Sequence, residues 1–198
     1  MINNATITTI NERARSAAIA GLGDPAWWAS QIAESVKDGK QDIPLQTVKK
    51  AVAAAYLQRA KEQAAWPRPT DCEKLEKAFA RLEANAILVG RNPDETQSGS
   101  HDVMQDRLVA SKGSAAGYVY FHGQDLRNAM EKGVLSLGFG SLQENDELDL
   151  AIAQNTVKVL AAQGLIFEWD GTLNKRIKIA LQWRYPISDA VLETVRRW

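Results

Sequence analysis

The sequence has one cysteine, Cys72, in 198 residues, so no disulfide can form within the chain and no cysteine cluster can hold zinc. It has no charge of either sign to spare. Its 24 Lys and Arg balance 24 Asp and Glu, which argues against general affinity for a phosphate backbone or an anionic membrane surface. No apolar run approaches the ~20 residues that span a bilayer. Met1–Ile10 lacks the basic start and apolar core of a secretory signal, and Arg13 and Arg15 beside Glu12 read as part of a first amphipathic helix rather than a transit peptide. A cytoplasmic protein is expected. Histidine is nearly absent, with only His101 and His122. No phosphate loop, metal-ligand spacing or activated nucleophile stands out, so no catalytic residue, metal or cofactor is assigned.

What is present is pattern, and the first 84 residues read as helices. Asp24 followed by Pro25 is an N-cap with proline at the first helical position, and Trp28, Ile32 and Val36 recur along one face until Gly39. Pro44 opens a longer helix with a Leu45, Val48, Val52, Ala55, Tyr56 stripe, stopped by Trp66-Pro67-Arg68-Pro69. Thr70 and Glu73 form a capping box ahead of Leu75, Ala78, Phe79 and Leu82. This gives a helical region over residues 1–69 and an α+β domain over residues 70–198, or one continuous domain.

From residue 86 the period shifts toward strand. Ala86–Val89 is a short apolar run after Asn85, a residue suited to the left-handed conformation that ends a helix. Residues 91–102 are the most loop-like segment, followed by a short helix over Val103–Ala110. Tyr118–Phe121 and Val134–Phe139 are strands, joined by a short helix starting near Asp125 and ended by Gly133. Asp146 caps a helix over Glu147–Gln163, with Gly164 at its end. Leu165–Trp169, Asp170-Gly171 and Arg176–Tyr185 read as a β-hairpin whose second arm alternates apolar and polar residues, and Ser188–Trp198 reads as a terminal helix. Phe79–Asn92 and Val157–Asp170 echo each other as helix, cap and strand, which points to one sheet rather than a solenoid. The fold class is α+β: an N-terminal helical region followed by a mixed, mainly antiparallel sheet with packed helices.

Phe121-His122-Gly123-Gln124-Asp125, Leu137-Gly138-Phe139-Gly140, Gly164-Leu165 with Trp169-Asp170-Gly171, and Trp183-Arg184 together form a recognisable pattern. The chain resembles an uncharacterised bacterial domain-of-unknown-function family with Phe-His-x-Gln-Asp and Gly-Leu-x-x-x-Trp-x-Gly motifs, over about Leu75–Arg184. The resemblance implies an architecture and no agreed activity. It also implies cysteines in the loop matching Thr96–Asp102, where this chain has Thr96-Gln97-Ser98-Gly99-Ser100 instead.

His122, Gln124 and Asp125 are the first binding candidates, because imidazole and carboxylate at a strand end can share a proton near neutral pH. The plainer account makes Asp125 the N-cap of the next helix and leaves His122 and Gln124 unexplained. Trp169 and Asp170 are further binding candidates, although Asp-Gly is also a preferred hairpin turn, with Glu168 and Asp170 paired across the hairpin to Arg176 and Lys178. His101 and Asp102 could join His122 and Asp125 around a metal, but nothing in their spacing requires convergence. Cys72 sits in a helix first turn without an obvious base.

Three functions compete. A protein-binding module, such as a cytoplasmic immunity protein that neutralises a toxin, fits the neutral charge, the missing catalytic groups and six tryptophans available as interface anchors. A small-molecule binder or enzyme would use the His122/Asp125 edge. A winged-helix nucleic-acid binder would use residues 147–163 and the hairpin, but that helix carries Glu147, Asp149 and only Lys158, a poor match to phosphate. A protein partner is expected, without membrane or nucleic acid.

Overall fold

Short polar side chains start most of the helices by accepting a hydrogen bond from an unpaired first-turn N–H. In the computed structural model, which describes residues 2–37, 43–142 and 145–198, Asn3 caps α1 (Asn4–Ala20) and Asp24 caps α2 (Pro25–Ser35). Pro44 precedes α3 (Leu45–Gln63), and the Thr70–Glu73 box opens α4 (Asp71–Ala84). Gly39 lies outside the described residues.

Three local expectations are corrected. Thr96 accepts from the Gly99 N–H, so α5 spans Gln97–Ala110 and takes in much of the segment read as loop. The left-handed residue after α4 is Ala86, with φ of 59°, while Asn85 keeps φ of −93°. The cap of the long later helix is Asn145, not Asp146, because the Asn145 side chain accepts from the Leu148 N–H.

Residue contacts divide the chain into two compact units, Met1–Arg68 with Arg184–Trp198, and Pro69–Trp183. In the first, Ile10, Ala14, Val48, Val52 and Tyr56 form a core with Leu192 and Val195 of the terminal helix, Asp189–Arg196. The Gln63 side chain clasps the segment that leads into the terminal helix, donating to the Ile187 carbonyl at 3.1 Å and accepting from its N–H at 2.8 Å. Among the described residues no helix is long and apolar enough to cross a membrane.

The second unit holds a five-stranded sheet: β1 (Ile87–Arg91), β2 (Gly117–Phe121), β3 (Val134–Gly140), β4 (Ile166–Glu168) and β5 (Ile177–Ala180), in the order β1-β2-β3-β5-β4. β1 and β2 are parallel, joined through α5, and the other pairs are antiparallel. The fold is therefore α+β with a mixed, mainly antiparallel sheet, and the two strands of the sequence echo form its two edges. The ladder of β5 ends at Ala180, well short of Tyr185, although burial continues to alternate through Trp183.

Alternation along β2 assigns the helices to faces. Phe121 stacks on Phe79 of α4 with centroids 6.3 Å apart, and Gly117 backs onto Ile152 of α7 (Asp146–Ala162), so these two helices cover one face. Tyr118 and Tyr120 point the other way, into Met104 and Leu108 of α5. Directly opposite them on β3 stand Gly140 and Gly138. A Cβ at either position would lie 2.7 Å from a tyrosine ring or hydroxyl atom. These glycines thus let both rings lie across β3, where any side chain would collide.

Candidate functional site

At the end of β2 the chain turns from strand into α6 (Gly123–Lys132), and the turn is held by a reciprocal cap. His122 Nδ1 accepts from the Asp125 N–H at 3.4 Å, while Asp125 Oδ2 accepts from the His122 N–H at 3.1 Å. His122 is therefore the N-cap, and Asp125 is the third helical residue of a capping box rather than the cap itself. Sequence reasoning missed this because histidine is seldom counted among capping residues.

A third side chain, Arg176 just ahead of β5, closes the cluster. Its Nη1 and Nη2 donate to Asp125 Oδ1 at 3.0 Å and Oδ2 at 2.5 Å, a two-pronged ion pair, and Nη2 also donates to the Ser136 carbonyl at 2.8 Å. The β2–β3 register extended past Tyr120↔Gly138 would set His122 against Ser136, but there the chain has already turned into α6. Arg176 gives the Ser136 carbonyl a donor at that point. The expected cross-strand pair of Arg176 with Glu168 or Asp170 is thus replaced by Asp125. Lys178 does stand opposite Glu168 in the ladder.

The tautomer of His122 follows from these bonds. Nδ1 accepts from the Asp125 N–H, so the proton of the neutral ring is assigned to Nε2, which lies 3.1 Å from Asp125 Oδ2; Arg176 Nη1, 3.2 Å from the same nitrogen, then lies beside it without bonding to it. Burial pushes the imidazole below its ordinary value of 6.5, with Arg176 and Arg127 adding to the shift and Asp125 and Glu95 opposing it. A ring held neutral when folded binds its proton more readily when unfolded. Stability therefore falls as the pH drops below about 6.5, the ordinary histidine value. His122→Asn, which keeps a capping side chain, is expected to flatten that acid-side loss. Urea unfolding of both proteins at pH 7.5 and 5.5 checks this; parallel losses would remove His122 as the cause.

The remaining candidates are placed separately. Gln124 is exposed on the first turn of α6. Trp169 Nε1 donates to the carbonyls of Thr172 and Lys175 at 3.1 and 3.2 Å, and its ring meets the Phe139 edge 6.1 Å away. Asp170 accepts from the Thr172 N–H and hydroxyl, bonds that hold its carboxyl below the usual range. Both residues organise the 169–175 loop, which is longer than a two-residue turn. His101 joins Tyr118 rather than His122, with Nδ1 2.9 Å from the phenol oxygen. Among the described residues no group of three or more His, Cys, Asp or Glu could hold a metal. Cys72 is fully buried.

Around this cluster the α5 face of the sheet forms a surface, on which sequence reasoning names His101 and Asp102 only as possible metal partners. Gln97, Ser98, His101, Asp102 and Tyr120 line an open concavity of about 540 Å³, and the Arg176 guanidinium lies 6.0 Å from the Tyr120 ring centre. Farther across the sheet, Val134, Ala180 and Ile166 form one row and Ser136, Lys178 and Glu168 the next. Ile166 is 73% exposed and Val134 38%. The alternation of β5 carried the signal, since its outward residues include Ala180. Of the six tryptophans, Trp27 is the exposed one, at 53%.

No curated protein matches the chain and no solved structure does. One family does match, over residues 3–186, well beyond the Leu75–Arg184 stretch in which its motifs stand out. With its Phe-His-x-Gln-Asp capping turn and its Gly-Leu-x-x-x-Trp-x-Gly hairpin, the chain belongs to the family described as a domain of unknown function, DUF6891.

Proposed function

We propose that this chain is a non-catalytic protein-binding module that engages a polypeptide partner through the exposed face of β3, β5 and β4. The observation that carries the reading is the pair of cross-strand rows: an apolar row of Val134, Ala180 and Ile166 beside a polar row in which Lys178 faces Glu168. An apolar strip bordered by one charge of each sign suits a protein surface of mixed character. It does not suit a polyanion, which would need an uncompensated basic face.

The His122 edge supports binding over catalysis. Its Nδ1 holds the Asp125 N–H, its Nε2 faces the carboxylate, and both Asp125 oxygens accept from Arg176. Each of His122 and Asp125 is only 4% exposed. A general base needs a free lone pair within reach of substrate, and here the groups serve one another. They fix the rim beside the exposed strands.

Ile166→Glu tests the surface. The residue is exposed, so the change is expected to alter stability by no more than about 0.5 kcal/mol while abolishing partner binding. Affinity capture from native lysate, followed by hydrogen exchange on the complex, should show protection over residues 134–136, 166–168 and 178–180. Protection elsewhere, or undiminished capture by the variant, overturns the reading. Within this class, a cytoplasmic immunity protein is the form with a direct growth assay: co-expression with a toxin encoded beside its gene should restore growth, and no protection excludes that form.

A further inference from the structure

On the opposite face of the sheet, α4 and α7 leave between their C-terminal halves an open groove of about 670 Å³. Lys77 and Arg81 of α4 and Lys158 of α7 line it, and no acidic side chain does so among the described residues. The acids of α4 are all committed elsewhere. Glu76 and Glu83 hold Arg91, Glu73 holds the Thr70 N–H, and Asp71 holds Lys74 and the Gln182 N–H. The acids of α7 crowd its first turn, at Asp146, Glu147 and Asp149, and Lys158 is the only charge in the rest of the helix. None of the three lining cations has an ion pair or hydrogen bond among the described residues.

The helix dipole accounts for Arg81, in the last turn of α4. It does not account for Lys77 and Lys158, which lie farther back, because the dipole's effect fades within one turn. Three like charges facing one groove repel each other until an anion enters, and the amides of Asn85, Asn155 and Gln163 beside them can pair with peptide groups. Ala80, Ala84 and Ala162 keep the groove open.

We propose that this groove docks an acidic polypeptide segment, its carboxylates meeting Lys77, Arg81 and Lys158. A nucleic acid fits less well, because the Pro69–Trp183 unit carries 12 basic against 16 acidic side chains and so repels a long polyanion outside the groove. The site is independent of the sheet-face reading, since it lies across the sheet from Ile166.

The test uses the full chain and a short fluorescein-labelled Glu/Ala peptide, with a Gln/Ala peptide and a single-stranded oligonucleotide as comparisons, read by fluorescence anisotropy. The Glu/Ala peptide is expected to bind, and to weaken with added salt. The triple change Lys77→Glu, Arg81→Glu, Lys158→Glu is expected to weaken it at least tenfold, with Lys61→Glu in the other unit having no effect. Circular dichroism checks that the variants fold, and the milder triple change to glutamine should reduce binding in the same direction. No binding of the Glu/Ala peptide, equal binding of the Gln/Ala peptide, unchanged affinity in both triple variants, or tighter binding of the oligonucleotide overturns the proposal.

Discussion

Asp125→Ala is expected to destabilise the Pro69–Trp183 unit by about 3 kcal/mol, the order measured when one partner of a buried ion pair is removed. The carboxylate takes two bonds from the Arg176 guanidinium and one from the His122 N–H, and faces the imidazole Nε2 as well. Without it the guanidinium keeps the Ser136 carbonyl and faces the protonated Nε2 of His122, which cannot accept from it. Arg176 is 24% exposed, so water recovers part of the loss and the effect falls at the lower end of the range. A fall in Tm of roughly 10 °C is the corresponding readout. The double variant Asp125→Leu, Arg176→Met removes both charges and should lose less than Asp125→Ala alone. A loss of under about 1 kcal/mol for Asp125→Ala would mean that Arg176 finds another acceptor.

That cluster shows where sequence reasoning reaches and where it stops. Phe121 through Asp125 could be read as strand followed by a cap, because both signals are local. Arg176 lies 51 positions away from Asp125, and nothing in its own neighbourhood separates it from Lys178, which stays on the surface. The α5 start shows a second limit. Asp94 accepts from the Thr96 N–H and hydroxyl, and Thr96 accepts in turn from Gly99. A string of loop-forming residues therefore serves as one extended helix entry.

The glycines of β3 show a third limit. Nothing in the local sequence explains Gly138 and Gly140, and they become intelligible only when the register sets them against Tyr120 and Tyr118. The capping box at Thr70, the Asp24-Pro25 start and the alternation of β5 needed no tertiary information, and these were legible. The surface rows were half legible. Alternation gave the outward residues of β5, but only pairing with β3 and β4 makes a row of Val134, Ala180 and Ile166.

Phe121→Ala should be the most damaging single change in the second unit, costing about 4 kcal/mol, the middle of the range for a buried phenylalanine. The ring is 1% exposed and stacks on Phe79 of α4 at 6.3 Å, while the Trp183 ring meets its edge at 6.2 Å. It thus ties β2 to α4 and to the extended segment after β5, which the Gln182 N–H also holds to α4 by donating to Asp71. The small residue would leave a cavity that backbone pairing on both sides of β2 prevents from collapsing. Phe121→Leu keeps most of the volume and should cost under about 1.5 kcal/mol. Pairing Phe121→Ala with Phe79→Ala should give a combined loss smaller than the sum by about 1 kcal/mol, the coupling expected of stacked rings. Additive losses would show that the two rings pack into separate parts of the core. Equilibrium urea unfolding of the four proteins decides this, and the Leu variant separates lost aromatic stacking from lost volume.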